Sequence, residues 1–66
     1  MARKIFVVYC ESGHLWLVRA ATEARAARDW EERVAEGNAE PAMGVGRPSR
    51  KEIKFLRKLG QADEDV

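Results

Sequence analysis

The chain is poor in the residues that cross-link small proteins or bind metals. Its 66 residues include one cysteine and one histidine. A single cysteine excludes an internal disulfide and favours a reducing compartment. One thiol and one imidazole are only half of the four ligands that a structural zinc site needs. We therefore expect a small domain without metal or cofactor, near the lower size limit for folding alone.

Long apolar runs and an excess of one charge are also missing. The apolar run from Ile5 to Cys10 is too short to span a bilayer, and nothing resembles a signal peptide. Charged residues make up 35% of the chain, yet the net charge is only +1. This balance argues against a simple polyanion binder, although it hides a segregation of charge along the chain. We expect a cytoplasmic protein that does not bind membranes.

The first half of the chain predicts a β-hairpin. "KIFVVYC" and "HLWLVRA" are rich in β-branched and aromatic residues, and three residues ending in Gly13 connect them. This loop length places Cys10 opposite His14. Both faces of the hairpin are then largely apolar, so each must be shielded from water by packing against other residues. The first face carries Phe6, Val8, Trp16 and Val18, and the second carries Ile5, Val7, Tyr9, Leu15 and Leu17.

Two helices are predicted farther along. Thr22 is a good N-cap for "EARAARDWEERVAEG", which has an apolar side around Trp30 and ends at Gly37. Three opposite-charge pairs at i,i+4 spacing stabilise its polar side. Ser49 begins the second helix with a capping box, and Gly60 ends it. The i,i+4 pairs are Arg25–Asp29, Arg28–Glu32 and Asp29–Arg33, and the apolar stripe of the second helix is Ile53, Phe55, Leu56 and Leu59.

The loop between the helices contains two prolines and two glycines, with a possible short edge strand around Met43 to Arg47. These elements predict an α+β fold, an antiparallel sheet of two or three strands with two helices, in the order β-β-α-(β)-α. The domain covers residues 1–60, and residues 61–66 form an acidic flexible tail. If both helices share one face of the sheet, a partner or a second copy would bury the other face, and we predict a homodimer.

"CESGH", residues 10–14, is the one place where a nucleophile and a base lie close together. A catalytic cysteine needs a lowered pKa, an oriented base and donors for the developing oxyanion. No residue that would orient His14 and no oxyanion donor is evident from the sequence. We interpret Cys10 as a strand-end residue beside a turn, and we expect no enzymatic activity.

Charge is segregated along the chain. Residues 47–58 carry six positive side chains and one negative, whereas residues 31–40 carry four negative and one positive. The tail adds three more carboxylates, which could neutralise the basic helix. The predicted basic face of the second helix consists of Arg50, Lys51, Lys54, Arg57 and Lys58. The predicted acidic patch consists of Glu31, Glu32, Glu36 and Glu40. Either surface could bind a partner, and the acidic patch, with the tail, could imitate DNA phosphates to a basic groove.

These features predict binding functions of two kinds. The basic face suits an acidic protein surface, with Tyr9 and Trp16 as possible aromatic anchors on opposite sheet faces. The same five side chains suit the phosphates of a nucleic acid, although the chain lacks helix-turn-helix spacing and a stacking ribbon. Protein binding is the leading hypothesis, and nucleic-acid binding is the alternative.

"HLWLVRAATEARAARDW", residues 14–30, resembles the strand-to-helix passage of very small phage and mobile-element proteins, including some anti-CRISPR proteins. Val18, Ala20 and Thr22 carry the likeness, together with Ala24 and Ala27. The resemblance implies a compact α+β inhibitor that occupies a site on a nucleic-acid-binding effector complex. It implies no particular contact residues.

Overall fold

The computed structural model describes residues 3–66, so residues 1 and 2 of the predicted domain lie outside the described part. The predicted α+β fold and its element order are confirmed. The elements are β1 (Lys4–Cys10), β2 (Leu15–Ala20), α1 (Glu23–Ala35), β3 (Ala42–Gly46) and α2 (Arg50–Lys58).

The three strands form one antiparallel sheet in the order β2-β1-β3, with β1 in the centre. The hairpin register is the predicted one, since Val8 lies opposite Trp16. The Cys10 N–H donates to the carbonyl of His14 at 2.9 Å, and Gly13 takes the left-handed conformation, with a φ of 93°. A side chain at that φ would be strained, so a glycine at the end of this loop sets the register.

The possible third strand is present, one residue earlier than predicted. β3 pairs with β1 from Val7–Gly46 to Cys10–Ala42, and the register shifts between Tyr9 and Cys10. Met43 has no partner in β1, so the bulge lies in β3 and bends that strand near its start.

The first core cluster lies between α1 and one face of the sheet. The side chain of Thr22 accepts a hydrogen bond from the Arg25 N–H at 3.2 Å, as expected of an N-cap. Trp30 and Phe6 are buried, as predicted, and the indole N–H of Trp30 donates to the Glu40 carbonyl at 2.8 Å. The buried members of the cluster are Phe6, Val8, Cys10, Val18, Ala20, Ala26 and Trp30.

The second core cluster lies on the opposite face of the sheet, beneath α2. Leu56 is buried there with Val7 and Leu17, and Ile53 packs at the margin. The two helices therefore do not share a face. The sheet face that we expected a second copy to bury is covered by α2 over Val7 and Leu17, so this basis for a homodimer is absent.

Residues 61–66, expected to form a frayed tail, lie along the outer edge of β2. The Leu17 N–H donates to the Gln61 carbonyl and the Asp63 N–H donates to the Leu17 carbonyl, both at 3.0 Å. Ala62 and Val66 pack against the second core cluster. The sequence after Gly60 is polar, but its backbone forms hydrogen bonds with groups on the outer edge of β2 that would otherwise lack partners.

The Asp63 carboxylate joins this terminal segment to the rest of the fold. It accepts two hydrogen bonds from the Arg33 guanidinium, at 2.8 and 2.6 Å, and one from the Trp16 indole at 3.0 Å. Arg33 also lies over the Trp30 ring, 5.4 Å from its centroid. Of the three ion pairs predicted along α1, only Arg25–Asp29 forms among residues 3–66, because Arg33 reaches Asp63 instead and Arg28 pairs with no carboxylate.

Candidate binding surface

The basic face of α2 is exposed, and a capping box stabilises the start of the helix. Ser49 and Glu52 form the predicted capping box. The Ser49 hydroxyl accepts a hydrogen bond from the Glu52 backbone N–H at 3.2 Å, and the Glu52 carboxylate accepts one from the Ser49 backbone N–H at 3.0 Å. Because Ile53 and Leu56 turn toward the sheet, the 100° rotation per residue turns the basic side chains toward solvent. All five are exposed: Arg50, Lys51, Lys54, Arg57 and Lys58.

No carboxylate among residues 3–66 forms an ion pair with this basic face. Two of the three side-chain carboxylates of the terminal segment bind elsewhere, since Asp63 binds Arg33 and Asp65 binds Arg3 at 3.3 Å. In the described part of the chain, the tail therefore forms no direct ion pair with the basic face, although the sequence allowed this. Like charges at i,i+4 on an unpaired face repel one another and cost the helix stability.

Two large apolar side chains are exposed beside the basic face. Phe55 is 61% exposed and Leu59 is 55% exposed. We expected both in the apolar stripe of α2, but only Ile53 and Leu56 of that stripe pack on the sheet. The rotation per residue explains this, because Phe55 and Leu59 project 60 to 100° away from Leu56. This exposure is a feature of the surface that the sequence pattern did not reveal.

The other side of the basic face borders a shallow groove with a volume of about 580 Å³. Ile53 contributes its apolar surface, and the four other lining residues are basic. The groove is lined by Arg50, Ile53, Lys54, Arg57 and Lys58. α2 thus presents aliphatic and aromatic surface on both sides of its positive charge.

The predicted acidic patch is dispersed. Glu31 lines a groove between α1 and β3, whereas Glu32 and Glu36 are 100° or more away around the helix. Glu40 lies in the loop before β3 and binds the hairpin turn. The four carboxylates do not form one surface that would imitate a row of phosphates.

The two possible aromatic anchors have different environments. Tyr9 is 38% exposed, and its ring approaches Gly46, where a Cβ would lie 3.4 Å from the ring. Trp16 is half-buried against the first core cluster, and its indole is hydrogen-bonded to Asp63. Of the two, Tyr9 has the more accessible side chain.

The CESGH segment forms the predicted turn, with one addition. The Glu40 carboxylate, 26 residues from His14 in sequence, lies 2.8 Å from His14 Nδ1 and accepts a hydrogen bond from Ser12 at 3.0 Å. Glu40 is therefore a residue that orients the imidazole, which we did not expect. Ser12 Oγ contacts the same Nδ1 at 3.1 Å, whereas a hydrolytic triad places its serine on Nε2 and its acid on Nδ1.

Cys10 lies on the other side of this turn, in the first core cluster. Its side chain is buried, 4% exposed, beside Phe6 and Val8. Burial raises the pKa of the Cys10 thiol, and the charge of Glu40 raises it further. A nucleophilic cysteine has the opposite environment. Among residues 3–66, no three side chains of His, Cys, Asp or Glu converge as a metal site would require.

Comparisons with known proteins give no relative. No family model, curated protein or solved structure matches the chain. The resemblance of residues 14–30 to small phage proteins therefore rests on those residues alone. In the described part of the chain, neither helix has the length and apolarity needed to cross a membrane.

Proposed function

We propose that the protein is a non-enzymatic binding protein that docks α2 on an acidic protein surface. The observation that carries the proposal is the set of five exposed basic side chains on α2, which has no carboxylate partner within residues 3–66. An unpaired basic face costs helix stability, and binding an acidic surface offsets this cost.

The exposed apolar side chains favour a protein over a nucleic acid as the partner. Phe55 and Leu59 flank the basic face, and Tyr9 lies exposed on the same side of the sheet. Aromatic anchors beside charged groups are typical of the energetic centre of protein interfaces. A phosphate backbone gives Leu59 nothing to pack against.

Docking of this kind is sufficient for inhibition. A domain that covers an acidic surface of a larger complex blocks that surface without any chemistry of its own. This is the action implied by the resemblance of residues 14–30 to anti-CRISPR proteins, and we include it in the proposal. The lone, buried Cys10 suits a reducing cytoplasm as the place of action.

The test is affinity capture from the native host with matched charge reversals. Lys54→Glu changes the centre of the basic face, and Arg28→Glu makes the same charge change at an exposed, unpaired position of α1. We expect wild type and Arg28→Glu to capture the same protein and Lys54→Glu to lose it. Phe55→Ala is expected to weaken the capture, because it removes an apolar anchor and no charge.

Nuclease treatment of the lysate separates the protein partner from the alternative. Capture of a protein that survives nuclease supports the proposal. Capture that disappears with nuclease, or wild-type binding to a labelled DNA duplex with a steep salt dependence, favours nucleic-acid binding instead. Equal capture by wild type and Lys54→Glu would remove α2 as the binding surface.

A further inference from the structure

The exposed side of α2 consists of three ridges of side chains. Residues four apart in sequence lie next to one another along a helix and form such ridges, with grooves between them. The central ridge is basic throughout, and each outer ridge combines basic and apolar side chains. The central ridge is Arg50, Lys54 and Lys58, the first outer ridge is Ile53 and Arg57, and the second outer ridge is Lys51, Phe55 and Leu59.

The shallow groove of about 580 Å³ lies between the central ridge and the first outer ridge. The five residues that line it are the five members of these two ridges. Lysine and arginine carry their charge at the end of an aliphatic stem. The floor of the groove is therefore formed by Ile53 and by methylene stems, whereas the ammonium and guanidinium groups lie at its rim.

A groove between two such rows has the shape that accepts a ridge of a second helix. Helices that pack in this way most often cross at about −50° or at about +20°. The central ridge is about 12 Å long, because Arg50 and Lys58 are separated by eight residues at a rise of about 1.5 Å each. A helix at about +20° stays beside the ridge over this length, whereas one at about −50° diverges from both of its ends.

The charge at the rim of the groove determines what the second helix must carry. The basic side chains there form no ion pair among residues 3–66. Carboxylates three and four residues apart lie on one face of a helix and recur about once per turn, which is the spacing of the basic side chains on α2. Because exposed ion pairs contribute little individually, an apolar side chain must also enter the groove.

We propose that the part of the partner that docks on α2 is an amphipathic acidic helix, packed along this groove nearly parallel or antiparallel to α2. The inference rests on the proposed function and specifies the chemistry of the partner. Carboxylates of the partner helix face the central ridge, and an aliphatic side chain between them enters the groove against Ile53. Since α2 is already formed and capped, it loses little further freedom on binding.

The test uses two synthetic peptides of the same composition, each about 20 residues long so that each can form a helix alone. The first places glutamates three and four residues apart on one face, with leucines between them. The second spreads the same residues around the helix. Calorimetric titration of the full chain should show that the first peptide binds at least about tenfold more tightly than the second. Amide chemical shifts should change along α2 and not along α1.

A charge exchange tests whether the carboxylates contact the central ridge. Lys54→Glu should weaken binding of the first peptide at least about tenfold, and replacing the central glutamate of that peptide with lysine should restore it. Arg28→Glu is the matched control and should bind the first peptide like wild type, because Arg28 lies on α1.

Equal affinity of the two peptides, or no binding of either, would overturn the inference, as would a charge exchange that restores nothing. A captured partner that contacts α2 through an extended segment would overturn it as well. These results differ from a failure of the proposed function. If Lys54→Glu loses the captured partner but the peptides bind equally, only the helical partner is wrong. If Lys54→Glu captures the same protein as wild type, the proposed function fails and this inference fails with it.

Discussion

At the scale of single residues, Asp63 connects parts of the chain that are far apart in sequence. Partial burial raises the pKa of Asp63, but hydrogen bonds from Arg33 and Trp16 and the charges of Arg33 and Arg3 outweigh it, so the net pKa is lowered. The ionised carboxylate therefore stabilises the folded state. This contribution is fully present above the unfolded pKa of about 3.9 and is lost as the pH falls through the lower folded value.

The substitution Asp63→Asn should lower the free energy of unfolding by about 1–3 kcal/mol at pH 7, because it removes charge-assisted hydrogen bonds in a half-buried place. The difference from wild type should shrink below about pH 4, where the wild-type carboxylate is also protonated. Urea unfolding at both pH values measures this. Asp65→Asn is the control, since its ion pair with Arg3 is exposed and is expected to contribute less than about 1 kcal/mol. A constant difference at all pH values would contradict the role of the charge.

Cys10 provides a second prediction at this scale. Because its thiol is buried and its pKa is raised, a thiol-specific reagent should modify the native chain far more slowly than the unfolded chain in urea. The rate of modification by a chromogenic disulfide measures the difference. Fast modification of the native chain at neutral pH would contradict this account and support the hypothesis that Cys10 and His14 form a reactive pair.

At the scale of elements, the sequence predicts those features that neighbouring residues determine. The pairing of Phe6 with Val18 follows from a three-residue loop ending in glycine, and the start of α2 follows from the Ser49–Glu52 capping box. The exposure of Phe55 could not be predicted, because the four apolar residues between Ile53 and Leu59 leave open which of them contact the sheet.

Contacts between distant parts of the chain left no signal in the sequence. Trp16 and Asp63 are 47 residues apart, and Glu40 is 26 residues from His14. No periodicity or spacing marks such pairs, and polar residues after a glycine usually fray. For the same reason, the candidate surface could be predicted as a basic helix, but its lack of neutralising carboxylates could not.

The terminal segment gives the prediction at this scale. Truncation after Gly60 should destabilise the fold by about 3 kcal/mol or more, because it removes two backbone hydrogen bonds to Leu17, the Asp63 contacts and apolar cover from Ala62 and Val66. Urea unfolding of the truncated and full chains measures the loss. Equal stability would mean that residues 61–66 are the frayed tail that the sequence suggests.

At the scale of the whole molecule, a layer of helix on each face of the sheet separates two kinds of surface. The molecule measures 29 × 29 × 19 Å, so its side chains are either in one of two thin cores or at the surface. The basic side chains of α2 lie on one face, and the carboxylates Glu31, Glu32 and Glu36 of α1 lie on the other. A near-zero net charge therefore coexists with a strongly positive face.

The central claim is that α2 is the surface through which the protein binds its partner. The most direct test is calorimetric titration of the captured partner with wild type, Lys54→Glu and Arg28→Glu at two salt concentrations. The account predicts that Lys54→Glu weakens binding by at least about tenfold, that Arg28→Glu changes it by less than about twofold, and that salt weakens wild-type binding. Binding by Lys54→Glu that is as tight as wild type at both salt concentrations would contradict it.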